Sequence, residues 1–370
     1  MSEPMLGSKP KSKRILELDA LRAISCLNLL LFHFTYVYAN KYGFSSPLGF
    51  AFPYGKYGVE LFFMLSGFVN AMTFVGKRSI KDFAFARAIR IFPSYWAVIL
   101  LNVFLLSYLP LFHWQLSVGE IWANLSTMPR LFGYENFEPV TWTLQIEMLF
   151  YATLVIMMMC GAFENMLKSL MIMVTTCLVF CLCASAINSA LPNSFLSRPL
   201  WIIENVCYMR NMPLFAMGML LNEIKNKRGN IKLNIAGIIY FGVVFQAIDL
   251  RDHNPAATAL LFGLLTACAW GKVPPLRFKP LLFISTISYT LYLFHNNIGS
   301  MLIYSLEEMG TGPLAAVIIA TVLSIAVGTA TTLWFEQPLT KFLRAWWKRR
   351  KSDSGSAIQS PSSPDAVATR

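Results

Sequence analysis

Apolar stretches of membrane-spanning length recur from Leu16 to Phe335, and this repetition limits the fold more than any single motif. A hydrocarbon core about 30 Å thick takes roughly 20 apolar residues of helix. It holds no water to satisfy backbone N–H and C=O groups, so each such stretch is predicted to be helical. Ten spans are predicted, at about 16–38, 57–76, 91–111, 141–160, 169–190, 205–221, 233–249, 256–270, 281–304 and 313–335. Only 14% of the residues are charged, against about 25% in soluble domains. The expected fold is an all-α polytopic transmembrane bundle.

Charge orients it. The net charge is +12, yet the positive residues lie between apolar spans, as insertion demands, so a nucleic-acid partner is not implied. The segments expected inside carry Lys9, Lys11, Lys13 and Arg14, then Lys77, Arg78, Lys81, Arg87 and Arg90, and further Lys/Arg groups to Lys351. The loops expected outside hold Lys41, Lys56, Arg130, Arg198 and Arg251. This asymmetry places both termini in the cytoplasm. Residues 1–14 form a basic tail without the h-region of a signal peptide, so the first span is expected to stay as an anchor. Residues 15–337 form the membrane domain. Residues 338–370 form a basic anchor, with Trp346 and Trp347 ahead of Lys348, Arg349 and Arg350, and then a Ser/Pro-rich tail that reads as disordered. The seven cysteines show no metal-ligand spacing and read as small membrane-core residues, so no metal is expected.

Polar groups inside the spans carry the functional signal, because they are costly there. Ten residues without formal charge separate Arg22 from His33. Eleven helical steps make about three turns, so both side chains share one face, roughly 16 Å apart along the axis. The competing reading has Arg22 snorkelling to headgroups and His33 at the interface. Arg87 and Arg90, three apart, share a face and suit phosphate, or else flank the membrane and bind lipid headgroups. Glu147 lies about two turns inside the fourth span, where a carboxylate needs a partner or water. Arg210 is placed to neutralise Glu147 or Glu60. His295 lies about 21 Å, and His33 about 25 Å, from the start of its helix, so the two imidazoles can meet at similar depth. Otherwise His295 is a buried imidazole with one hydrogen-bond partner.

Other features read as structural. Ser66-Gly67 forms a packing notch, and Pro338 is expected to stop the helix beyond Glu336. The aromatics of loop 39–56 either mark the membrane interface or stack on a sugar ring. Loop 112–140, with Trp114, Trp122, Pro129 and Pro139, reads as re-entrant or as a lid.

Taken in order, these pieces resemble the integral-membrane acyltransferase-3 family from Leu18 to Pro338. They are Leu18-Asp19 through Arg22 with the gap to His33; Gly58 to Phe68; and Arg87 and Arg90 with Pro93 and Tyr95. Trp142 to Glu147 with Phe150 and Tyr151, Ile287 to His295, and Glu336 with Pro338 complete the set. Ala23 stands where the family often has Gly, and Met148 where it often has a second acid, so no role needing two adjacent carboxylates carries over.

The resemblance implies acyl transfer, commonly acetyl from acetyl-CoA, to hydroxyls of carbohydrates or lipid-linked glycans at a bacterial inner membrane. It implies that His33 is the base, Arg22 its companion, and Arg87 and Arg90 the donor-binding groups. The soluble C-terminal esterase-like domain of some relatives is not expected here. Beside these roles, Glu147 is expected to orient His33, and His295 or Tyr289 to donate to the oxyanion. His33 acts either as base or through a covalent acyl-histidine. The rival class is a proton-coupled transporter or flippase, since buried Arg, His and Glu also build proton relays. No pair of inverted halves is evident for it.

Overall fold

A helix facing lipid must be long and apolar, whereas one walled in by other helices can be short or polar. That distinction sorts the helices of the computed structural model, which describes residues 14–73, 79–108, 116–192, 194–203, 209–248 and 254–357. In chain order they are α1 (Leu16–Lys41), α2 (Gly58–Thr73), α3 (Ile80–Tyr108), α4 (Val118–Leu125), α5 (Trp142–Met159) and α6 (Met166–Ala190). Then follow α7 (Met212–Lys225), α8 (Ile231–Ile248), α9 (Pro255–Ala269), α10 (Lys279–Glu308), α11 (Pro313–Thr331) and α12 (Gln337–Ala357).

Six stretches among the described residues are long and apolar enough to cross a membrane: Leu16–Lys41, Ile80–Tyr108, Pro139–Met159, Met166–Ala190, Ile231–Ile248 and Pro313–Lys351. The expected ten spans are corrected to these six, while the all-α polytopic bundle stands. The other four predicted stretches are helical but fail on length or polarity. Helices α2, α7 and α9 have 16, 14 and 15 residues. Helix α10 has 30, but buries Ser285, Ser288, Thr290, His295, Asn296 and Asn297.

Packing explains why short helices suffice there. Every residue of α7 from Met212 to Glu223 is buried, so protein surrounds this helix. The expected notch on α2 meets it: a Cβ on Gly67 would strike the Phe215 carbonyl, and one on Gly218 the Met64 carbonyl. Phe150 and Phe63 stack on Phe215 with centroids 4.0 and 4.8 Å apart. The periphery is apolar outward. On α8, Ile235, Ile239 and Val243 are exposed at four-residue spacing, while Ile238, Phe241 and Phe245 face inward.

Helices α1 and α10 lie side by side and parallel. Arg277, just ahead of α10, donates to Glu17 at 2.7 Å; Cys26 Sγ meets the Ser288 carbonyl at 3.5 Å; His33 meets His295 at 3.1 Å; Tyr38 Oη donates to Glu307 at 3.3 Å. The partners advance together along both helices. The Phe34 ring fills the place of a side chain at Gly299, which brings the two backbones close.

Two π-helical turns interrupt this regularity, at Phe32–Val37 within α1 and at Thr332–Glu336 between α11 and α12. Pro338 does not end the helix. It sits just after the second π turn, where the ladder bond it cannot donate is already displaced, and the chain runs on to Ala357. Trp347 Nε1 and Lys351 Nζ both donate to Asp82, tying α12 to the start of α3.

Loop 116–141 is folded on itself by Asn124, which donates to the Glu135 carbonyl and accepts from the Phe137 amide, and it is tied to α3 by Tyr95 Oη, which donates to the Asn124 carbonyl. Cys26, Cys177, Cys181 and Cys268 are buried, but Cys160 and Cys183 are exposed. Lys9, Lys11, Lys13, Lys77, Arg78, Trp114, Cys207, Arg251 and residues 358–370 lie outside the described residues.

The close approach of α2 and α7 gives a direct test. Gly218→Leu should lower stability in detergent by about 1–3 kcal/mol or prevent folding. Gly263→Ala, whose Cβ meets nothing within 4 Å, should leave the unfolding temperature unchanged or raise it.

Candidate active site

Two chambers share a wall. The first is lined by Arg22, Ser66, Asn70, Arg87, Arg90, Glu147, Tyr151 and Tyr289. The second is lined by His33, Lys56, Tyr57, Glu60, Arg130, Trp142, Trp201 and Arg210. Val59 and Tyr292 line both. Tyr292 is held by its hydroxyl, which donates to the Val140 carbonyl at 2.8 Å and pairs with Thr143 Oγ1 at 2.6 Å.

Helical spacing builds the first chamber. Arg87 and Arg90 share a face of α3 and meet Arg22 of α1 across the space. Arg87 donates to Asn70 Oδ1 at 2.6 Å, and its guanidinium lies 5.2 and 5.0 Å from the Phe83 and Tyr151 ring centroids. Asp19 accepts from Arg22 at 3.3 Å. Glu147 accepts from Tyr151 Oη in a short hydrogen bond and from Ser66 Oγ at 3.3 Å. Arg90 stands in the electrostatic field of both Glu147 and Glu336. Three guanidinium groups against one lining carboxylate leave this chamber positive, and planar guanidinium groups are suited to phosphate oxygens.

The imidazole pair sits beside the second chamber. His33 Nδ1 lies 2.7 Å from the Leu29 carbonyl and 3.1 Å from His295 Nε2, and His295 Nδ1 lies 2.8 Å from the Tyr292 carbonyl. A carbonyl can only accept, so each Nδ1 carries the proton. His295 Nε2 is then a lone pair, and the single His33 Nδ1–H is shared between the Leu29 carbonyl at 2.7 Å and this nitrogen at 3.1 Å. His33 Nε2 is left as a lone pair too, on a residue that lines the chamber. The π turn holds this end of α1 in place: Thr35 Oγ1 donates to the Leu31 carbonyl and accepts from the Phe52 amide.

The six expected site residues therefore divide. Arg22, Arg87, Arg90 and Glu147 gather in one chamber, and His33 and His295 meet at the other. Glu147 does not orient His33; its hydrogen bonds go to Tyr151 and Ser66, and His295 is the group at the histidine's back. Tyr289 is not aimed at a reacting oxygen, because its hydroxyl donates to the Ile91 carbonyl at 2.8 Å. Arg210 shares its chamber with Glu60 rather than with Glu147.

Sequence reasoning missed the polar support behind His295. The buried Glu138 accepts from the Asn297 amide at 3.3 Å. Asn297 Nδ2 donates to the Phe137 carbonyl at 2.7 Å and to Asn102 Oδ1. An asparagine in the middle of an apolar span, such as Asn102, was the available signal. Among the described residues no group of three or more His, Cys, Asp or Glu is arranged to hold a metal.

A family model described as an acyltransferase domain matches residues 15–333. The chain belongs to the acyltransferase-3 family. This membership decides between the two classes left open by the buried charges: the protein is an acyltransferase, not a carrier. The exopolysaccharide production protein ExoZ of Rhizobium meliloti (strain 1021) is 26% identical over 317 residues, which are 80% of this chain and 93% of that protein. Nodulation protein 10 of Rhizobium leguminosarum bv. viciae is 33% identical over 115 residues, 26% of this chain and 31% of that protein. No solved structure matches. Apolar helices and bacterial relatives together make this acyltransferase a multi-pass protein of a bacterial inner membrane.

The tautomers can be read directly. Histidine-¹⁵N NMR of the acyltransferase in nanodiscs at neutral pH should show Nδ1–H and unprotonated Nε2 for both His33 and His295. An Nε2–H signal from either would contradict the hydrogen-bond assignment.

Proposed function

We propose that this acyltransferase moves an acyl group, acetyl in the first instance, from acyl-CoA to a hydroxyl of a carbohydrate or lipid-linked glycan. One observation supports the reading: His33, with its Nδ1 turned to the Leu29 carbonyl and to a second imidazole, lines the chamber next to a guanidinium-lined one. Arg22, Arg87 and Arg90 bind the CoA phosphates. The pantetheine arm runs along α1 over the roughly 16 Å that separate Arg22 from His33. Val59 and Tyr292 then mark where the thioester meets the acceptor.

In the proposed reaction His33 Nε2 takes the proton of the acceptor hydroxyl as its oxygen attacks the thioester carbonyl. The tetrahedral intermediate collapses, the C–S bond breaks, and the imidazolium returns the proton to the leaving thiolate. His295 Nε2 accepts from His33 Nδ1–H throughout, so it fixes the tautomer and stabilises the imidazolium, as the acid does in a triad. A positioned general base contributes about 10²–10⁴-fold. Glu147 belongs to donor binding, where it holds the guanidinium cluster in register through Tyr151 and Ser66. ExoZ supports a polysaccharide-related acceptor through its name alone.

The orientation is proposed to follow the Lys/Arg asymmetry, with both termini cytoplasmic.

His33→Ala should abolish transfer, by roughly 10²-fold or more, while acetyl-CoA binding persists; retained turnover refutes the base. Arg90→Gln should raise the acetyl-CoA dissociation constant about tenfold or more, as loss of a charge-assisted hydrogen bond does. An unchanged constant would leave Arg90 a topological charge.

A further inference from the structure

Positive charge is kept off the outer side of an inner-membrane protein, so the few outer cations repay attention. In the proposed orientation the outer loops hold Lys41, Lys56, Arg130, Arg198 and Arg251. Two of these five, Lys56 and Arg130, line the chamber of His33, and Arg210 at the start of α7 joins them. A third, Arg198, lies against Gly133, the left-handed residue that closes the turn carrying Arg130. These residues come from four separate parts of the chain. Convergence of that kind does not follow from insertion, which only removes such charges.

The chamber is cationic among the described residues that line it, with Lys56, Arg130 and Arg210 against Glu60. Glu60, which also accepts from Thr258 Oγ1 at 2.7 Å, is one carboxylate against three cations. Arg130 is poised for more than its present partner. Its Nη2 stands 3.5 Å from Glu135, a carboxylate 71% exposed to solvent, and such exposed pairs are weak. Its Nε is buried and accepted by no oxygen. Trp142 and Trp201 line the same space.

We propose that the acceptor is an anionic glycan, whose negatively charged oxygens bind Arg130 with Lys56 and Arg210 and thereby bring a hydroxyl to His33. This rests on the proposed function, because it takes the chamber of His33 as the acceptor side. The anionic group is a sugar carboxylate or the diphosphate of a lipid carrier, which share the chemistry of charged oxygens. A charged anchor also fits the geometry of the reaction: it fixes the acceptor from outside, while the inner guanidinium groups fix the donor from the opposite end.

The test reads acceptor affinity separately from chemistry. Protein in phospholipid nanodiscs, both wild type and His33→Ala, is titrated with three probes. They are a glucuronate-containing disaccharide, the same disaccharide with its carboxylate reduced to the alcohol, and that neutral disaccharide on a polyprenyl diphosphate. One anionic probe should bind at least tenfold more tightly than the neutral one, and which one does so names the source of the charge. Arg130→Gln should weaken that probe about tenfold, leave the neutral probe unchanged, and be partly rescued by Arg130→Lys. Raised salt should weaken the anionic probe alone. Equal binding of all three probes, or equal loss for charged and neutral probes in Arg130→Gln, overturns the proposal. Acetyl-CoA titration of the same samples keeps the two readings apart. If the donor fails to bind wild-type protein, the proposed function falls, whatever the glycan probes do.

Discussion

The parallel contact of α1 with α10 sets everything else. Polar side chains inside a membrane need partners, and a parallel pair with polar positions in step supplies them along its whole length. Glu17 with Arg277 closes one end, and Tyr38 with Glu307 closes the other. Between them the helices can be held apart only by side chains of matching depth. His33 and His295 meet because both helices start from the same side and are locked at both ends. Gly299 lets the Phe34 ring in, so the backbones approach closely enough for an imidazole to reach an imidazole. A carboxylate in place of His295 would set a fixed negative charge beside His33, whereas a neutral imidazole offers a lone pair and no charge.

Much of this was legible in the residues. The spacing of Arg22 and His33 put them on one face, and they do point into adjoining chambers on one side of α1. The three-residue step from Arg87 to Arg90 placed both in one cavity. The depth count brought His295 level with His33. What could not be read was pairing across helices. The logic of a triad puts Glu147 behind His33, but depth alone does not say which group a carboxylate faces. Its true partners, Tyr151 and Ser66, are ordinary residues whose role comes from packing. The span count failed for a related reason. Hydropathy measures exposure to lipid, and α7 has almost none, so a helix can be decisive and still fall below any threshold of length. The π turns were invisible too, because an extra residue in a helical turn leaves no trace in composition.

Charge is distributed with a purpose that neither chamber shows alone. In a low-dielectric interior each unpaired charge is costly, and attraction to an opposite charge is correspondingly strong. The inner chamber concentrates three guanidinium groups with one lining carboxylate, and the outer one repeats the excess with different residues. The wall between them is neutral: Val59 and the tyrosine of α10. The proposed reaction at that wall therefore lies between two cationic ends, and the transferring group of that proposal passes through a place lined by neutral side chains. An acyl thioester and an alcohol are both neutral at the reacting atoms, so such a place costs them little.

That arrangement also explains why a second histidine, rather than a carboxylate, stands behind the first. A carboxylate beside His33 would hold a permanent negative charge near the neutral wall, and burial of it would demand a cation in turn. The buried Glu138 lies on the Asn297 amide, within a network of asparagines. It stiffens α10 without facing the ring of His33. His295 supplies an acceptor lone pair and no charge, so in the proposed reaction the base is oriented at rest and positive charge arises only when the proton arrives. The parallel helix pair thus does with geometry what a charged triad member does elsewhere with electrostatics, and that is the form of support a membrane interior can sustain most cheaply.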